Sequence, residues 1–179
     1  MIGDRWGVTD AEVARRYPCD EVVATPTLQA WRGVTVRATA DRVWPWVGQI
    51  RLAPYSYDWI DNLGRRSPRE LRGLAEPRVG EPFSAAFGGR PAGRIISVEP
   101  GVQLTGMIMG AAMSYVLVPL ADGSGATRLL LKVAARGRPA AAPLLCVGDL
   151  VMARRQLLTL ARLAEATAEN GHRDQGGER

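Results

Sequence analysis

Between residues 93 and 135 the chain reverses direction too often, and too tightly, for anything but antiparallel strands. Gly93-Arg94-Ile95-Ile96-Ser97-Val98-Glu99 ends at Pro100-Gly101, a turn dipeptide. Val102 to Met109 follows, and the small residues Gly110-Ala111-Ala112 make the next reversal. Met113 to Leu120 ends at the hairpin signal Asp122-Gly123, and Ala126 to Ala135 is the last run. A parallel crossover needs about a dozen residues or more, so this spacing predicts an antiparallel meander.

One long helical segment comes next. Gly137-Arg138-Pro139 breaks the last strand, and Pro143 starts a helix predicted to reach about Asn170, with Gly171 beyond its end. About 26 residues at about 1.5 Å each span about 39 Å, enough to cross a whole sheet. Val147, Leu150, Val151, Leu157, Leu158 and Ala161 fall on one face; Arg154 lies inside that apolar arc, and Arg155 and Arg162 lie at its edge. Residues 171–179 have no apolar residue and are expected to be disordered.

Upstream, Val34, Val36 and Ala38 alternate with Thr35, Arg37 and Thr39, which predicts a strand from Leu28 to Thr39. Asp41 is the expected cap of a helix from Arg42 to about Ile50, with Val43, Trp44, Val47 and Ile50 at helical spacing and Pro45 in the first turn. Pro54 resets the chain, and Tyr57 to Leu63 reads as a second short helix closed by Gly64. Arg65 to Arg78 reads as a loop with a turn of helix, and Val79 to Phe83 as a short strand. At the start, Thr9 or Asp10 caps a short helix in which Glu12 adds little beyond solubility. Tyr17 to Val23 is expected to run as an extended arm over the body, with residues 1–27 packed on the domain.

Composition narrows the function classes. A chain of 179 residues with 46% hydrophobic and 23% charged residues fits one soluble globular domain. No apolar run approaches the roughly 18 residues of a membrane span, and Met1 to Trp6 lacks the pattern of a signal peptide, so a cytoplasmic protein without membrane insertion is expected. Cys19 and Cys146 are too few for a disulfide framework or zinc site, and Cys146 reads as a small core residue. The one histidine, His172, lies in the polar tail, which excludes a Ser-His or Cys-His pair or a histidine metal cage in the core. No acidic cluster points to a carboxylate metal site. The net charge of +5 comes from arginines spread along the chain, with Lys132 the one lysine, which argues against nucleic acid.

Five of the eleven aromatic residues lie between Trp44 and Trp59. That stretch, Trp44, Trp46, Tyr55, Tyr57 and Trp59, reads as an apolar pocket with a polar rim.

Three segments carry a family resemblance. They are Trp31-Arg32-Gly33-Val34-Thr35-Val36 running into Ala38-Thr39-Ala40-Asp41-Arg42-Val43-Trp44-Pro45-Trp46; Tyr55-Ser56-Tyr57-Asp58-Trp59-Ile60-Asp61-Asn62-Leu63-Gly64; and Met152-Ala153-Arg154-Arg155-Gln156-Leu157-Leu158 with Ala164-Glu165. Together with the order strand, two short helices, antiparallel strands and long helix, they resemble bacterial SRPBCC proteins of actinobacterial type, related to START domains, Bet v 1 and polyketide cyclase/dehydrases. The chain departs from that branch after Gln49, where Ile50, Arg51 and Ala53-Pro54 replace a Met-Gly and a glycine-rich approach. The resemblance implies an α+β helix-grip fold over residues 28–170, in which a curved antiparallel sheet wraps the C-terminal helix around a ligand cavity. It implies no reaction.

On that fold the helix would offer Val147, Val151, Arg154 and Leu158 to the cavity, and the strands Met107, Met109, Met113 and Tyr115, with Trp44 and Tyr55 from the aromatic stretch. Methionines adapt to varied apolar ligands and equally fill plain cores, which is the stronger reading. Tyr57, Asp58 and Trp59 fall on the segment over the mouth; the stronger reading is that Tyr57 and Trp59 staple it to the core, while Asp58 and Asp61 cap or pair with Arg65 or Arg66. Arg154 needs a partner because a buried unpaired charge is costly. That partner is either a ligand carboxylate or phosphate, or Asp58, Asp61 or Glu165, and the structural pairing is preferred; snorkelling past the helix edge is a third course. The leading function is binding of a small apolar or aromatic, lipid- or polyketide-like molecule. The alternatives are a cyclase or dehydratase without metal or nucleotide cofactor, with Asp58, Tyr57 or Tyr115 as acid or base, and an interaction module such as a homodimer.

Overall fold

Turn chemistry and alternation build the sheet, and the helices are laid on it. The computed structural model describes residues 3–86, 88–136 and 142–176, and of residues 61, 86, 142–150 and 170–176 the backbone alone. The chain opens with strand β1 (Arg5–Trp6), helices α1 (Asp10–Ala14) and α2 (Cys19–Val22), and strand β2 (Leu28–Val36). Helix α3 (Ala40–Gly48) runs into a 3-10 turn at Gln49–Arg51, and α4 (Asp58–Asp61) follows. β3 (Ser84–Ala86) and β4 (Arg90–Ala92) form a separate hairpin. The meander is β5 (Arg94–Glu99), β6 (Gln103–Ile108), β7 (Ala111–Pro119) and β8 (Thr127–Ala135), and α5 (Ala142–Gly176) closes the fold.

The main sheet has six strands in the order β1-β2-β8-β7-β6-β5. All its pairs are antiparallel except β1 with β2. Ile108 pairs with Ala111 across a two-residue turn in which Met109 and Gly110 have φ of 50° and 81°. Left-handed geometry at both positions makes the hairpin turn that matches strand twist. The reversal therefore falls at 109–110, ahead of the expected 110–112.

Period two sorts the strands into two cores. One face, with Leu104, Tyr115, Leu117, Leu129, Leu131 and Val133, packs against α3 and against Ala153, Leu157, Leu160, Ala161 and Ala164 of α5. The other face, with Ala112, Val116, Leu130 and Ala134, is covered by Tyr17, Cys19 and Val23. Lys132 also lies on this second face, paired with Asp20 and within 5.5 Å and 5.0 Å of the Tyr17 and Trp31 ring centroids.

Several local expectations change for identifiable reasons. Tyr17 to Val23 is not extended: Pro18, at φ −57°, starts α2 instead of stopping the chain, and Asp20 accepts from the Tyr17 N–H at 2.9 Å. Glu12 is structural: with Thr9 it forms a capping box, and it binds Arg128 of β8 at 2.7 Å. α3 is capped at Thr39, not Asp41. Val79 to Phe83 is no strand; Pro82 has no N–H to give, and pairing starts at Ser84. α5 is helical through residue 176, past the expected end at Asn170. The expectations for the side chains of Cys146, Val147, Leu150 and His172, and for a disordered 177–179, lie outside the described residues. No helix among the described residues is long and apolar enough to cross a membrane.

Candidate functional site

Where β6 and β7 face the N-terminal half of α5, the two layers do not meet. A cavity of about 810 Å³ lies between them. The β3–β4 hairpin forms one wall with Phe83, Ala85, Pro91 and Ala92. The sheet gives Ile108, Met113 and Tyr115, α5 gives Met152, Ala153 and Gln156, and the segment after α3 gives Ile50, Pro54, Ser56 and Ile60. The lining is mainly apolar, and several of its polar groups are hydrogen-bonded. Tyr115 Oη donates to Gln156 Oε1 at 2.5 Å, and Gln156 Nε2 donates to the Pro54 carbonyl at 2.6 Å. Ser84 Oγ donates to the Ile50 carbonyl at 3.0 Å. This cross-link joins sheet, helix and the aromatic segment across the cavity floor. Phe83 and Tyr115 pack at 6.1 Å between ring centroids.

Of the residues expected at the site, Met109, Met113 and Tyr115 line the cavity. Met109 stands at the rim, 91% exposed, because it occupies the hairpin turn. Met107 does not belong there: it pairs with Ala112 and packs with Tyr17 and Val116 on the opposite face. Cross-strand partners share a face, so Met113 instead stands over Gly106.

The face of α5 also differs from expectation. Val151 is 48% exposed, Arg154 is exposed, and Leu158 is half-buried without lining the cavity. The buried series is Ala153, Gln156, Leu157, Leu160, Ala161 and Ala164. Small residues let the helix approach the sheet, so a reading weighted to large side chains rotates the face. The usable signal was the spacing of three, four and four from Ala153 through Gln156 and Leu160 to Ala164, with Leu157 and Ala161 beside it.

Among the described residues Arg154 pairs with no carboxylate and does not line the cavity; its guanidinium lies over the Trp6 ring at 5.2 Å, a cation–π contact. Glu165 is held by Arg37, through the backbone N–H at 2.9 Å and Nη2 at 3.2 Å. Asp58 accepts from Ser67 N–H at 3.0 Å and Ser67 Oγ at 2.6 Å, so it fastens the following loop. Asp61's side chain is outside the described residues. Tyr57 is half-buried under Arg155 at 6.0 Å, and Trp59 is 74% exposed. Trp44 donates Nε1 to Glu76 at 2.8 Å and faces a smaller cleft of about 300 Å³.

Tyr55 is buried at φ 57°, edge-on to Trp46, and its hydroxyl accepts from Gln49 Nε2 at 2.6 Å. Burial pushes its pKa up, against the Gln49 hydrogen bond. Gln49 also donates to the Glu70 carbonyl and accepts from Arg72 N–H, pinning residues 70–72. Gln49 and Gln156 are the organising polar residues that the sequence reading missed. Among the described residues no group of three or more His, Cys, Asp or Glu is placed to hold a metal ion.

A six-stranded sheet curved around a C-terminal helix, with an apolar cavity between them, is a helix-grip fold. No family model matches the chain, and no curated protein matches it. Solved structures share the fold. A protein from Mesorhizobium loti is 16% identical over 78% of this chain and 98% of its own, with a TM-score of 0.51. One from Rhodobacter sphaeroides is 18% identical over 79% and 91%, with a TM-score of 0.50. One from Arthrobacter aurescens is 15% identical over 78% and 87%, with a TM-score of 0.50. The likeness is one of fold.

Proposed function

We propose that the chain binds a small apolar or aromatic molecule, lipid- or polyketide-like, in the cavity between sheet and α5. The observation that carries this reading is the lining: methionines, Phe83, Ile50, Ile108 and Ala153 around about 810 Å³. That volume falls within the roughly 300–1,000 Å³ of small-molecule sites. Apolar walls supply the affinity, and the Tyr115–Gln156 pair is the polar contact that orients the ligand. The cyclase or dehydratase reading is weaker. Among the described residues the titratable side chains of the lining are Tyr115 and Arg90, and Asp58 is engaged with Ser67 outside it. An acid–base pair needs two such groups facing one substrate.

Native mass spectrometry of the purified protein, with organic extraction of what it retains, tests the reading. A discrete apolar adduct is expected, and the Ala153→Trp variant, whose indole fills the cavity, should carry none. An adduct retained equally by both proteins would place the ligand elsewhere.

A further inference from the structure

A second cavity, also about 810 Å³, lies beside the β3–β4 hairpin. Ala85 and Pro91, which pair across that hairpin, line both cavities, so the two adjoin there. The two spaces differ in chemistry. Among the described residues the second is lined by Arg51, Arg65, Arg66 and Arg72 against one carboxylate, Glu81.

That carboxylate is already engaged. Glu81 Oε2 accepts from Arg51 Nη1 at 2.7 Å and from the Arg78 N–H at 3.1 Å. Arg51 also donates to the Gly48 and Ala75 carbonyls, at 2.9 Å and 2.5 Å. Arg65 gives one hydrogen bond, to the Gly88 carbonyl at 3.3 Å. The Arg66 and Arg72 guanidiniums have no acceptor among the described residues. Three guanidiniums therefore share one cavity without a neutralising carboxylate of their own among the described residues. Their planar forks match phosphate or carboxylate oxygens. Asn62 lies in the same wall, 1% exposed; its Nδ2 donates to the Arg65 carbonyl at 2.6 Å, leaving Oδ1 buried and without a donor.

We propose that this arginine-lined cavity takes the oxyanion head, phosphate or carboxylate, of an amphiphile whose apolar body fills the adjoining apolar cavity. The inference rests on the reading of the apolar cavity as a binding site, and it narrows the ligand class to anionic amphiphiles. Arg66 and Arg72 are head-group residues on this account, and Arg51 holds the wall.

Displacement of a bound naphthylamine fluorophore by dodecyl phosphate and by dodecanol tests it. Dodecyl phosphate should bind at least tenfold more tightly than dodecanol to the unaltered protein, with the ratio shrinking as salt is added. In the Arg66→Gln/Arg72→Gln variant the ratio should fall to about one, with dodecanol unaffected. Inorganic phosphate should weaken dodecyl phosphate alone, which ties the head group to the anion cavity. Equal binding of the two probes by the unaltered protein would overturn the anionic head while leaving the apolar cavity's role standing. A protein that takes up neither the fluorophore nor dodecanol, yet is stabilised by inorganic phosphate only when Arg66 and Arg72 are present, would overturn both. The arginine cavity would then be a site for a free anion.

Discussion

Tyr17 shows how one side chain ties the N-terminal arm to the sheet. It is 1% exposed, donates its hydroxyl to the Glu12 carbonyl at 2.8 Å, and turns its ring to the Lys132 ammonium. Burial, with the nearby Glu12 charge adding, pushes its pKa from 10.0 up to about 12. The direction fixes a pH dependence. Below the unfolded value of 10.0 both states keep the proton, and the arm has its full stability. Between there and about 12 the unfolded chain loses the proton while the folded one keeps it, so stability falls as pH rises. Thermal melts from pH 9 to 12 should show a falling Tm that is shallower in Tyr17→Phe. Tyr55 also titrates high and remains in the variant, so the decline is reduced and not abolished. Phenylalanine also removes the bond to Glu12, a pH-independent loss of about 1 kcal/mol. Identical slopes would remove Tyr17 from the account.

The β3–β4 hairpin is the element on which the cavity depends, and a glycine seats it. A Cβ on Gly106 of β6 would meet Phe83 Cδ2 at 2.1 Å and Cγ at 2.3 Å, so the ring lies flush on the strand's backbone. Phe83 leads into β3 and lines the cavity, so its ring sets how closely the hairpin approaches the sheet. Gly106→Ala should therefore cost about 1–3 kcal/mol by overpacking, read as a lowered denaturant midpoint, and should weaken apolar probe binding as well. A loss of stability with unchanged binding would mean that the hairpin does not form the wall. This element was not legible in the sequence. β1, β3 and β4 span two or three residues each, too few for a period to register. The meander and the closing helix were legible because turn residues and long apolar patterns specify them locally. The lining face of α5 was not, because Ala153 carries little apolar weight and yet faces the cavity. Gln49 and Gln156 were missed for a related reason: a buried glutamine matters through partners distant in sequence, such as Glu70 and Tyr115.

At the scale of the whole molecule, the sheet is sealed on one face by the N-terminal arm and left partly unfilled on the other, where α5 stands off β6 and β7. Unfilled apolar volume forfeits dispersion contacts that a close-packed core would have, so a ligand that enters it restores packing between elements that otherwise touch only at the cavity's ends. Binding to the folded state alone raises stability by about 2.7 kcal/mol at a ligand concentration of about 100 times Kd. For a chain of 179 residues, at about 2–4 °C per kcal/mol, this is a rise in Tm of about 5–11 °C. Where the ligand sits decides which variants lose that rise. Ala153 lines the cavity floor, whereas Trp59 is 74% exposed and lies outside the lining. The rise should survive Trp59→Ser and vanish in Ala153→Trp. The reverse pattern, with the rise lost on removing Trp59 and kept with the cavity filled, would place the ligand on the aromatic rim. The space under α5 would then be a packing defect of the fold.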